Sequence, residues 1–216
     1  MPRAVIFANG HLPDPDKARL LLRPKDHIVC ADGGLQHARA LGLQPHAVIG
    51  DLDSLSKEEI SQLTHGDMQL HLFPPEKNET DLELALNYVV ESGFDEILVV
   101  AALGGRLDQT LSNLSLLTDA RYSTLDIRLD DGIEAAFFCR DQAQVQGRSG
   151  DLVSLIPWGG PVAGVRTQGL KYPLRDEALY PEKSRGISNE MLDDTASVRI
   201  LSGLLLIVHR RLSADC

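Results

Sequence analysis

The stretch from residue 96 to residue 118, EILVVAALGGRLDQTLSNLSLLT, decides how the first part of this chain folds. It opens with an apolar run that lacks polar alternation, Ile97-Leu98-Val99-Val100-Ala101, which is typical of a strand buried on both faces. A glycine turn and leucines at helical spacing follow, so the stretch predicts a strand, a tight turn and a helix. On that helix we expect the leucines to face the core: Leu107, Leu111, Leu114 and Leu117.

The same alternation of an apolar run and a helical stretch recurs before this point. Strands are predicted at residues 4–8, 27–31, 47–50, 70–73 and 96–103. Helices are predicted at residues 16–22, 35–41, 57–63, 81–91 and 108–118. Strands that alternate with helices predict a mostly parallel sheet with helices on both faces.

After about residue 121 the pattern changes to short strands separated by glycine-rich turns. Strands are predicted at residues 125–129, 134–139, 151–156, 164–167, 197–200 and 204–209, and residues 172–185 are predicted to form a loop. Such a pattern predicts a small β-sandwich or barrel. We therefore expect an α/β N-terminal domain over residues 1–125 and a smaller all-β sandwich domain over residues 126–216.

Length and composition exclude several classes of protein. The 216 residues are 43% hydrophobic and 24% charged, which is ordinary for a globular chain and not for a disordered or fibrous one. No apolar run approaches the roughly 18–20 residues that span a bilayer, and the first residues do not resemble a signal peptide. Three widely spaced cysteines, Cys30, Cys139 and Cys216, suggest reduced thiols. We expect a cytoplasmic protein that does not bind a membrane.

The charge of the chain is unevenly distributed. The formal net charge is −10, and residues 1–130 hold 20 of the 31 acidic residues but only 11 of the 21 basic ones. Binding to nucleic acid through a basic face is therefore disfavoured. The acidic excess is either an ordinary solvated surface or includes carboxylates gathered around a divalent cation.

Several of these acids follow the predicted strands. Asp32 follows the second strand, Asp51 and Asp53 the third, Asp81 begins the helix after the fourth, and Asp108 lies at the helix start after the fifth. If the sheet is parallel, all five lie at its carboxyl edge, where open α/β sheets bind ligands. Alternate residues of an extended backbone point to the same side, so Asp51 and Asp53 can face one ion. The pattern is typical of a Mg²⁺ site, although single aspartates of this kind also serve turns and helix caps.

Two glycine pairs and one arginine accompany the acids. Gly33-Gly34 and Gly104-Gly105 each stand between a strand and a helix, where a missing Cβ allows a phosphate to approach the backbone or simply permits the turn. Arg106 follows the second pair and is either a surface ion-pair partner or a phosphate ligand. Thr80 and Glu83 have the spacing of a capping box, which places Asp81 in the first turn of a helix.

Taken in order, these motifs resemble those of the thiamine pyrophosphokinase family, particularly its bacterial members. The resemblance is carried by ADGG at 31–34, GDLDS at 50–54, KNETD at 77–81 and LGGRLDQT at 103–110. It continues through SLIP at 154–157, GLKYPL at 169–174 and RGISNE at 185–190, so that it spans essentially the whole chain.

The resemblance implies an α/β domain and a β-sandwich domain that act as a homodimer. It implies transfer of a pyrophosphoryl group from ATP to thiamine, with Mg²⁺ as cofactor and thiamine diphosphate and AMP as products. Metal binding carries over to Asp51, Asp53 and Asp81, with Asp32 and Asp108 in the same site. Positions near the phosphates match Asn78, Thr80, Arg106 and the two glycine pairs. The segment that holds thiamine matches Gly186, Ser188 and Asn189, with Met191 as the nearest bulky apolar residue where many relatives have an aromatic one.

Some alternatives stay open on the sequence. Either Asp81 or Asp108 could accept the proton of the attacking hydroxyl. A related pyrophosphokinase for another hydroxymethyl heterocycle, such as a pterin, would keep the acidic site and differ in the second domain. A magnesium–nucleotide sensor without catalysis would not need the complete set of acids together with Arg106.

Overall fold

The computed structural model describes residues 3–51 and 68–212, which belong to two compact units, Met1–Gly132 and Ile133–Cys216. The helix predicted at 57–63 lies outside the described residues, as does Asp53. The strand predicted at 125–129 pairs with a strand of the first unit, so this unit extends past the expected boundary at residue 125.

The first unit alternates strands and helices as predicted. Its strands are β1 (Ala4–Phe7), β2 (His27–Ala31), β3 (Ala47–Gly50), β4 (Gln69–Leu72), β5 (Glu96–Val100) and β6 (Asp126–Asp130). Its described helices are α1 (Pro15–Arg19), α2 (Gly34–Ala40), α3 (Asp81–Glu91) and α4 (Leu107–Leu116), followed by a 3₁₀ turn at Ala120–Tyr122. The predicted α/β fold of this part of the chain is confirmed.

These strands form a parallel sheet in the order β6-β5-β1-β2-β3-β4. Phe7 at the end of β1 is paired with Cys30 in β2 and Val100 in β5, and Gly50 at the end of β3 with Leu72 in β4. Because all strands run in one direction, their carboxyl ends meet at one edge of the sheet.

Helices cover the sheet because its strands are apolar on both faces. Val5, Phe7 and Val48 share a buried cluster with residues of α1 and α2. The residues that alternate with them, including Ile6 and Ile49, are also buried, and α3 packs against β1, β2 and β3. Successive strand residues point to opposite faces, so this double burial requires a layer on each side.

The prediction for the leucines of α4 is only half right. Leu114 and Leu117 are buried, but Leu107 is 71% exposed and Leu111 is 47% exposed. Helical spacing shows that these four residues share a face of the helix, but it does not show how far the sheet extends beneath it.

The second unit is a sandwich of two antiparallel sheets, as predicted. Its strands are β7 (Glu134–Cys139), β8 (Gln142–Gln146), β9 (Leu152–Pro157), β10 (Val162–Gln168), β11 (Arg175–Leu179), β12 (Asn189–Glu190), β13 (Thr195–Arg199) and β14 (Leu205–Arg210). The strand orders within this unit are β12-β9-β14-β7 and β11-β10-β13-β8. Alternate residues from both sheets form one buried cluster, which includes Val153, Val165, Val198 and Ile207.

Three strands of the sandwich, β8, β11 and the two-residue β12, were not predicted from the sequence. Residues 172–185 were predicted to form a loop, but β11 lies within them and pairs with β10. Only Leu179 of β11 is buried, and β8 likewise buries only Val145. A strand that buries only one side chain shows no alternation of apolar and polar residues. Its position is therefore determined by the strand with which it pairs.

The thiol and membrane predictions can be compared with the described residues. Cys30 and Cys139 are free and buried, and burial raises the pKa of Cys30 to about 12 and that of Cys139 to about 11. Both thiols are therefore protonated and inert at neutral pH. Within residues 3–51 and 68–212, no helix is long and apolar enough to cross a bilayer.

A cluster of rings lies where β2 begins. The ring centroid of His27 is 4.3 Å from that of His46 and 4.9 Å from that of Phe94. His46 Nδ1 accepts a hydrogen bond from Ile28 N at 3.0 Å. Burial, and then the neighbouring His46, lower the pKa of His27 below its ordinary value. The folded chain therefore favours the neutral form of His27.

This cluster predicts a loss of stability on acidification. Below about pH 6.5 the unfolded chain takes up a proton at His27 more readily than the folded chain, so stability falls as the pH drops from about 6.5 towards the lowered pKa and then levels off. His27→Phe keeps a ring in the cluster and removes the titrating group, so it should flatten the dependence. Urea unfolding of both proteins at about pH 7.5 and about pH 5 measures this. An equal loss of unfolding free energy between the two pH values in both proteins would contradict this role of His27.

Candidate active site

A cavity of about 580 Å³ opens at the carboxyl edge of the parallel sheet. It is lined by residues that follow β1, β2, β3 and β5 and by the starts of α3 and α4. Its acidic lining residues are Asp32, Asp51, Glu79 and Asp81, and its basic ones are Lys77 and Arg106. The strand order thus brings together charged groups that are as far apart in sequence as Asp32 and Arg106.

Asp51 and Asp81 share one cation of the chain. Lys77 Nζ lies 2.7 Å from Asp81 Oδ1 and 3.9 Å from Asp51 Oδ2. Asp51 follows β3 directly, and Asp81 begins α3, where the helix dipole favours a carboxylate. Two acids from different elements therefore converge on one position that attracts positive charge.

Gly50 allows two of the acids to approach. A Cβ added at residue 50 would lie 3.1 Å from Asp32 Cβ and 3.2 Å from Asp81 Oδ1, and the backbone has a φ of +152°. Side-chain-bearing residues rarely adopt this conformation, and the space beside it is already occupied. The glycine before Asp51 is thus required by the close packing of Asp32 and Asp81.

Asp32 is held at the end of β2 by the backbone. Its φ is +45°, its N–H donates to Ile49 O at 2.8 Å, and its carbonyl accepts from Leu35 N at the start of α2. Asn9 Nδ2 donates to Asp32 Oδ2 at 3.4 Å. A non-glycine residue with positive φ is uncommon and is often found at functional sites.

The donor set at this edge suits a hard divalent cation. Asp51 and Asp81 offer carboxylate oxygens, the ligands that Mg²⁺ prefers, and Asp81 Oδ1 is buried without a hydrogen bond of good geometry. Within residues 3–51 and 68–212, no three His, Cys, Asp or Glu side chains are grouped so as to hold a metal. The third predicted ligand, Asp53, is outside the described residues.

The two glycine pairs have different surroundings. Gly33 and Gly34 do not line the cavity, and a Cβ at Gly34 would lie 1.9 Å from Phe7 O, so this pair lets α2 pack on β1. Gly104 and Gly105 line the cavity, and both have a φ of +74°. Only the second pair is therefore placed where its backbone can approach a ligand.

Arg106 and Asp108 form an ion pair at the start of α4. Arg106 Nη2 donates to Asp108 Oδ2 at 2.5 Å and Arg106 Nε to Asp108 Oδ1 at 3.2 Å. The hydrogen bonds from Arg106, and then the backbone N–H of Gln109, lower the pKa of Asp108. Arg106 lines the cavity and Asp108 does not. A carboxylate with a lowered pKa is a weaker base, which disfavours Asp108 as the proton acceptor.

In the segment before α3, Thr80 lies at the cavity and Asn78 does not. Thr80 lines the cavity, and its hydroxyl accepts a hydrogen bond from Glu83 N at 3.2 Å, as the capping box predicts. Asn78 is exposed and does not line the cavity. Lys77 and Glu79, on either side of Asn78, do line it.

Several polar lining residues were not identified from the sequence. Asn9 lies just after β1, as the aspartates lie after their strands. A search for amide as well as acidic side chains after the predicted strands would have identified it. Arg106 directly precedes α4, and Gln109 and Asn113 lie four residues apart on one face of that helix. Asn113 Nδ2 donates to Ala102 O at 3.0 Å and so ties the helix to the end of β5.

In the second unit, Asn189 is engaged by the backbone of a neighbouring segment. Its Oδ1 accepts from Tyr172 N at 2.9 Å, and its Nδ2 donates to Tyr172 O at 2.7 Å. The ring of Tyr172 is left 57% exposed. The described contacts of the Asn189 side chain therefore hold Tyr172 in place.

Met191, expected near the substrate, lies in the interior of the second unit. Met191 is 0% exposed and belongs to the buried cluster of the sandwich, where it forms a bridge with Leu170. Gly186 has a φ of +102° and Ser188 a φ of +53°, and Ser188 N donates to Ser154 Oγ at 3.0 Å. The chain turns sharply before β12, and this turn directs Met191 inward.

Comparisons with known proteins agree for both units. The catalytic domain of thiamin pyrophosphokinase matches residues 18–129, and the vitamin B1 binding domain of thiamin pyrophosphokinase matches residues 141–205. A thiamine pyrophosphokinase of Bacillus subtilis is 28% identical over 170 residues, covering 78% of this chain and 79% of that protein. Thiamine pyrophosphokinase 1 of rice, Oryza sativa subsp. japonica, is 25% identical over 239 residues, covering 96% of this chain and 87% of that protein.

Solved structures show the same fold. The thiamin pyrophosphokinase from Geobacillus thermodenitrificans has a TM-score of 0.80 with 27% identity and covers all of both chains. The thiamine pyrophosphokinase from Bacillus subtilis has a TM-score of 0.85 with 23% identity and covers 97% of this chain and 99% of that one.

The position of Asp51 beside Asp81 predicts that its carboxylate contributes to the affinity for a divalent cation. Asp51→Asn should weaken Mn²⁺ binding by about tenfold or more, the loss typical of changes in the shell of a metal site. Asp119→Asn is the matched control, since Asp119 is in the same unit, pairs with Arg121 and does not line the cavity. Titration of free Mn²⁺ by electron paramagnetic resonance compares the two. Equal affinities would exclude Asp51 from the site.

Proposed function

This chain belongs to the thiamin pyrophosphokinase family, and from that premise we propose that it transfers a pyrophosphoryl group from ATP to the hydroxyl of thiamine. The products are thiamine diphosphate and AMP. The observation that supports this most directly is the cavity at the carboxyl edge of the sheet, where Asp51, Asp81, Lys77 and Arg106 converge in the unit that matches the catalytic domain.

The proposed reaction is an in-line displacement at phosphorus. The hydroxyl oxygen of thiamine forms a bond to the β-phosphorus of ATP, and the bond from that phosphorus to the oxygen bridging the α-phosphate breaks. That oxygen leaves with AMP, and the hydroxyl proton passes to a base. Such transfers depend on positioning and on neutralisation of charge more than on covalent help from the protein.

Asp51 and Asp81 would hold Mg²⁺, together with Asp53, which is outside the described residues. When bound, Mg²⁺ supplies positive charge to the phosphate oxygens. Asp32 adds a further carboxylate to the same wall of the cavity. Of the two acids considered as the base, Asp81 lines the cavity and Asp108 does not, so Asp81 would accept the proton, through the carboxylate oxygen that does not bind Mg²⁺.

The start of α4 would receive the phosphates. Gly104 and Gly105 line the cavity just before it, and the first N–H groups of a helix attract anions. Arg106 before the helix, and Gln109 and Asn113 on one face of it, also line the cavity and carry hydrogen-bond donors. In this proposal the Arg106 guanidinium exchanges Asp108 for phosphate oxygens, which match its fork of donors.

The second unit would hold thiamine through the segment from Gly186 to Asn189. Because Met191 is buried, we assign the stacking surface for the substrate ring to Tyr172, whose exposed side chain is positioned by Asn189. An exposed aromatic ring on a fixed backbone can stack against a heterocycle without ordering a flexible loop.

The test is to mix the protein with ATP, Mg²⁺ and one acceptor and to measure AMP. Thiamine should give AMP and thiamine diphosphate in equal amounts. AMP formation with a hydroxymethylpterin and not with thiamine would show a different pyrophosphokinase. Nucleotide binding without AMP formation from either acceptor would show a sensor and refute the proposed activity.

Arg106 provides a kinetic prediction. If it acts on charge that develops during transfer, Arg106→Lys should lower kcat more than it raises the KM for ATP. Loss of one stabilising donor typically costs about 10²–10³ in rate, and the retained charge of lysine should limit the loss to about tenfold. Steady-state kinetics give both constants. Arg121→Lys is the matched control, because Arg121 pairs with Asp119 in the same way and does not line the cavity. Equal kcat in the two variants would exclude the role.

We also propose a cytoplasmic homodimer. The buried free thiols of Cys30 and Cys139 suit a reducing compartment. The two exposed leucines of α4, Leu107 and Leu111, suit an interface between copies, because a partner would remove this apolar surface from water.

The dimer can be tested at Leu111. Leu111→Lys should shift the protein toward monomer and lower its activity, because a buried unpaired charge opposes association. Leu20→Lys is the matched control, since Leu20 is 84% exposed in the same unit and lies outside the lining of the cavity. Analytical ultracentrifugation measures the mass of both. A fully active wild-type monomer would refute the dimer.

A further inference from the structure

Lys77 occupies the position between the two carboxylates that are proposed to hold Mg²⁺. It lies on the connection from β4 to α3, and its ammonium is 2.7 Å from Asp81 Oδ1 and 3.9 Å from Asp51 Oδ2. Its side chain exposes only 10% of its surface. Covering a lysine to this extent is costly unless opposite charges compensate it, and Asp51 and Asp81 do so.

The contact with Asp81 is an ion pair. Asp81 Oδ1 is buried, and the Lys77 ammonium lies 2.7 Å from it. Another cation at this position would compensate the same buried oxygen. A divalent cation brings twice the charge to the same oxygens, and it would repel the ammonium.

A second binding position for the Lys77 ammonium lies within the same cavity. A lysine carries a compact charge on a flexible stem, so its ammonium can move by several ångströms without a change in the backbone. Lys77 lines the same cavity as Arg106 and Gly105, where the phosphates of a nucleotide are proposed to bind. The displaced ammonium would find negative charge there.

We propose that Lys77 is an exchangeable counter-ion of the metal site. In the metal-free protein it neutralises Asp51 and Asp81. A divalent cation displaces it from both carboxylates, and it then binds a phosphate oxygen of the nucleotide. The second step rests on the proposed function, whereas the competition with the metal does not.

The competition is tested with Mn²⁺ alone, in the absence of nucleotide. Lys77→Met removes the charge and keeps the length of the side chain, so Mn²⁺ should bind about tenfold more tightly than to the wild type, as removal of one nearby like charge predicts. Lys77→Arg keeps the charge and should not tighten binding. Lys77→Gln is measured beside Lys77→Met, so that the test does not depend on the folding of one variant.

Lys17→Met is the matched control. It removes one positive charge from the same unit, but Lys17 pairs with Asp14 and does not line the cavity. Mn²⁺ binding to this variant should match that of the wild type. Folded Lys77→Met and Lys77→Gln variants that bind Mn²⁺ no more tightly than the wild type would overturn the competition.

The second step is tested by the KM for ATP at saturating Mg²⁺. Lys77→Met should raise it by about tenfold, the usual effect of losing one charged contact to a phosphate. Tighter Mn²⁺ binding with an unchanged KM would overturn the transfer of Lys77 to the nucleotide and leave the competition standing. A wild-type protein that binds Mn²⁺ but forms no AMP would refute the proposed function instead.

Discussion

The parallel direction of β1 to β6 is the constraint on which the candidate site depends. A parallel sheet must be covered on both faces, which the helices do, and its strands all end at one edge. Asn9, Asp32 and Asp51 reach the cavity because each lies within two residues of the end of a strand. The glycine at residue 50 then lets Asp32 and Asp81 pack into the space that a side chain there would fill. The fold thus accumulates carboxylates that no local interaction would bring together.

Collected carboxylates repel one another and need a counter-charge. In the described structure Lys77 provides it for Asp51 and Asp81, and Arg106 pairs separately with Asp108 at the start of α4. The two cationic side chains differ in solvent exposure: that of Lys77 is largely buried, whereas that of Arg106 is mostly exposed. Both are placed to exchange a carboxylate for a phosphate, which would link the binding of metal and nucleotide through charge balance.

In the sandwich unit, the residues proposed to bind thiamine are held by contacts with the backbone. Its core is a cluster of alternate residues from two sheets, and the segment before β12 is fixed to it by backbone contacts, among them Ser188 N to Ser154 Oγ. Asn189 uses its amide to hold Tyr172, so that an aromatic ring is exposed on a fixed backbone. A flat, fixed ring of this kind suits recognition of a heterocycle better than a flexible thioether.

The sequence by itself determined the order of the described strands and helices in the first unit, because apolar runs and helical spacing are local signals. It also placed Asp32, Asp51 and Asp81 at one edge, since strand ends can be read from the chain. Only the tertiary structure decided which groups meet there: that Lys77 lies between two acids, that Leu107 and Leu111 stay exposed, and that Met191 turns inward. These outcomes depend on contacts between distant segments and on how far each sheet extends, and no local pattern of residue types encodes either.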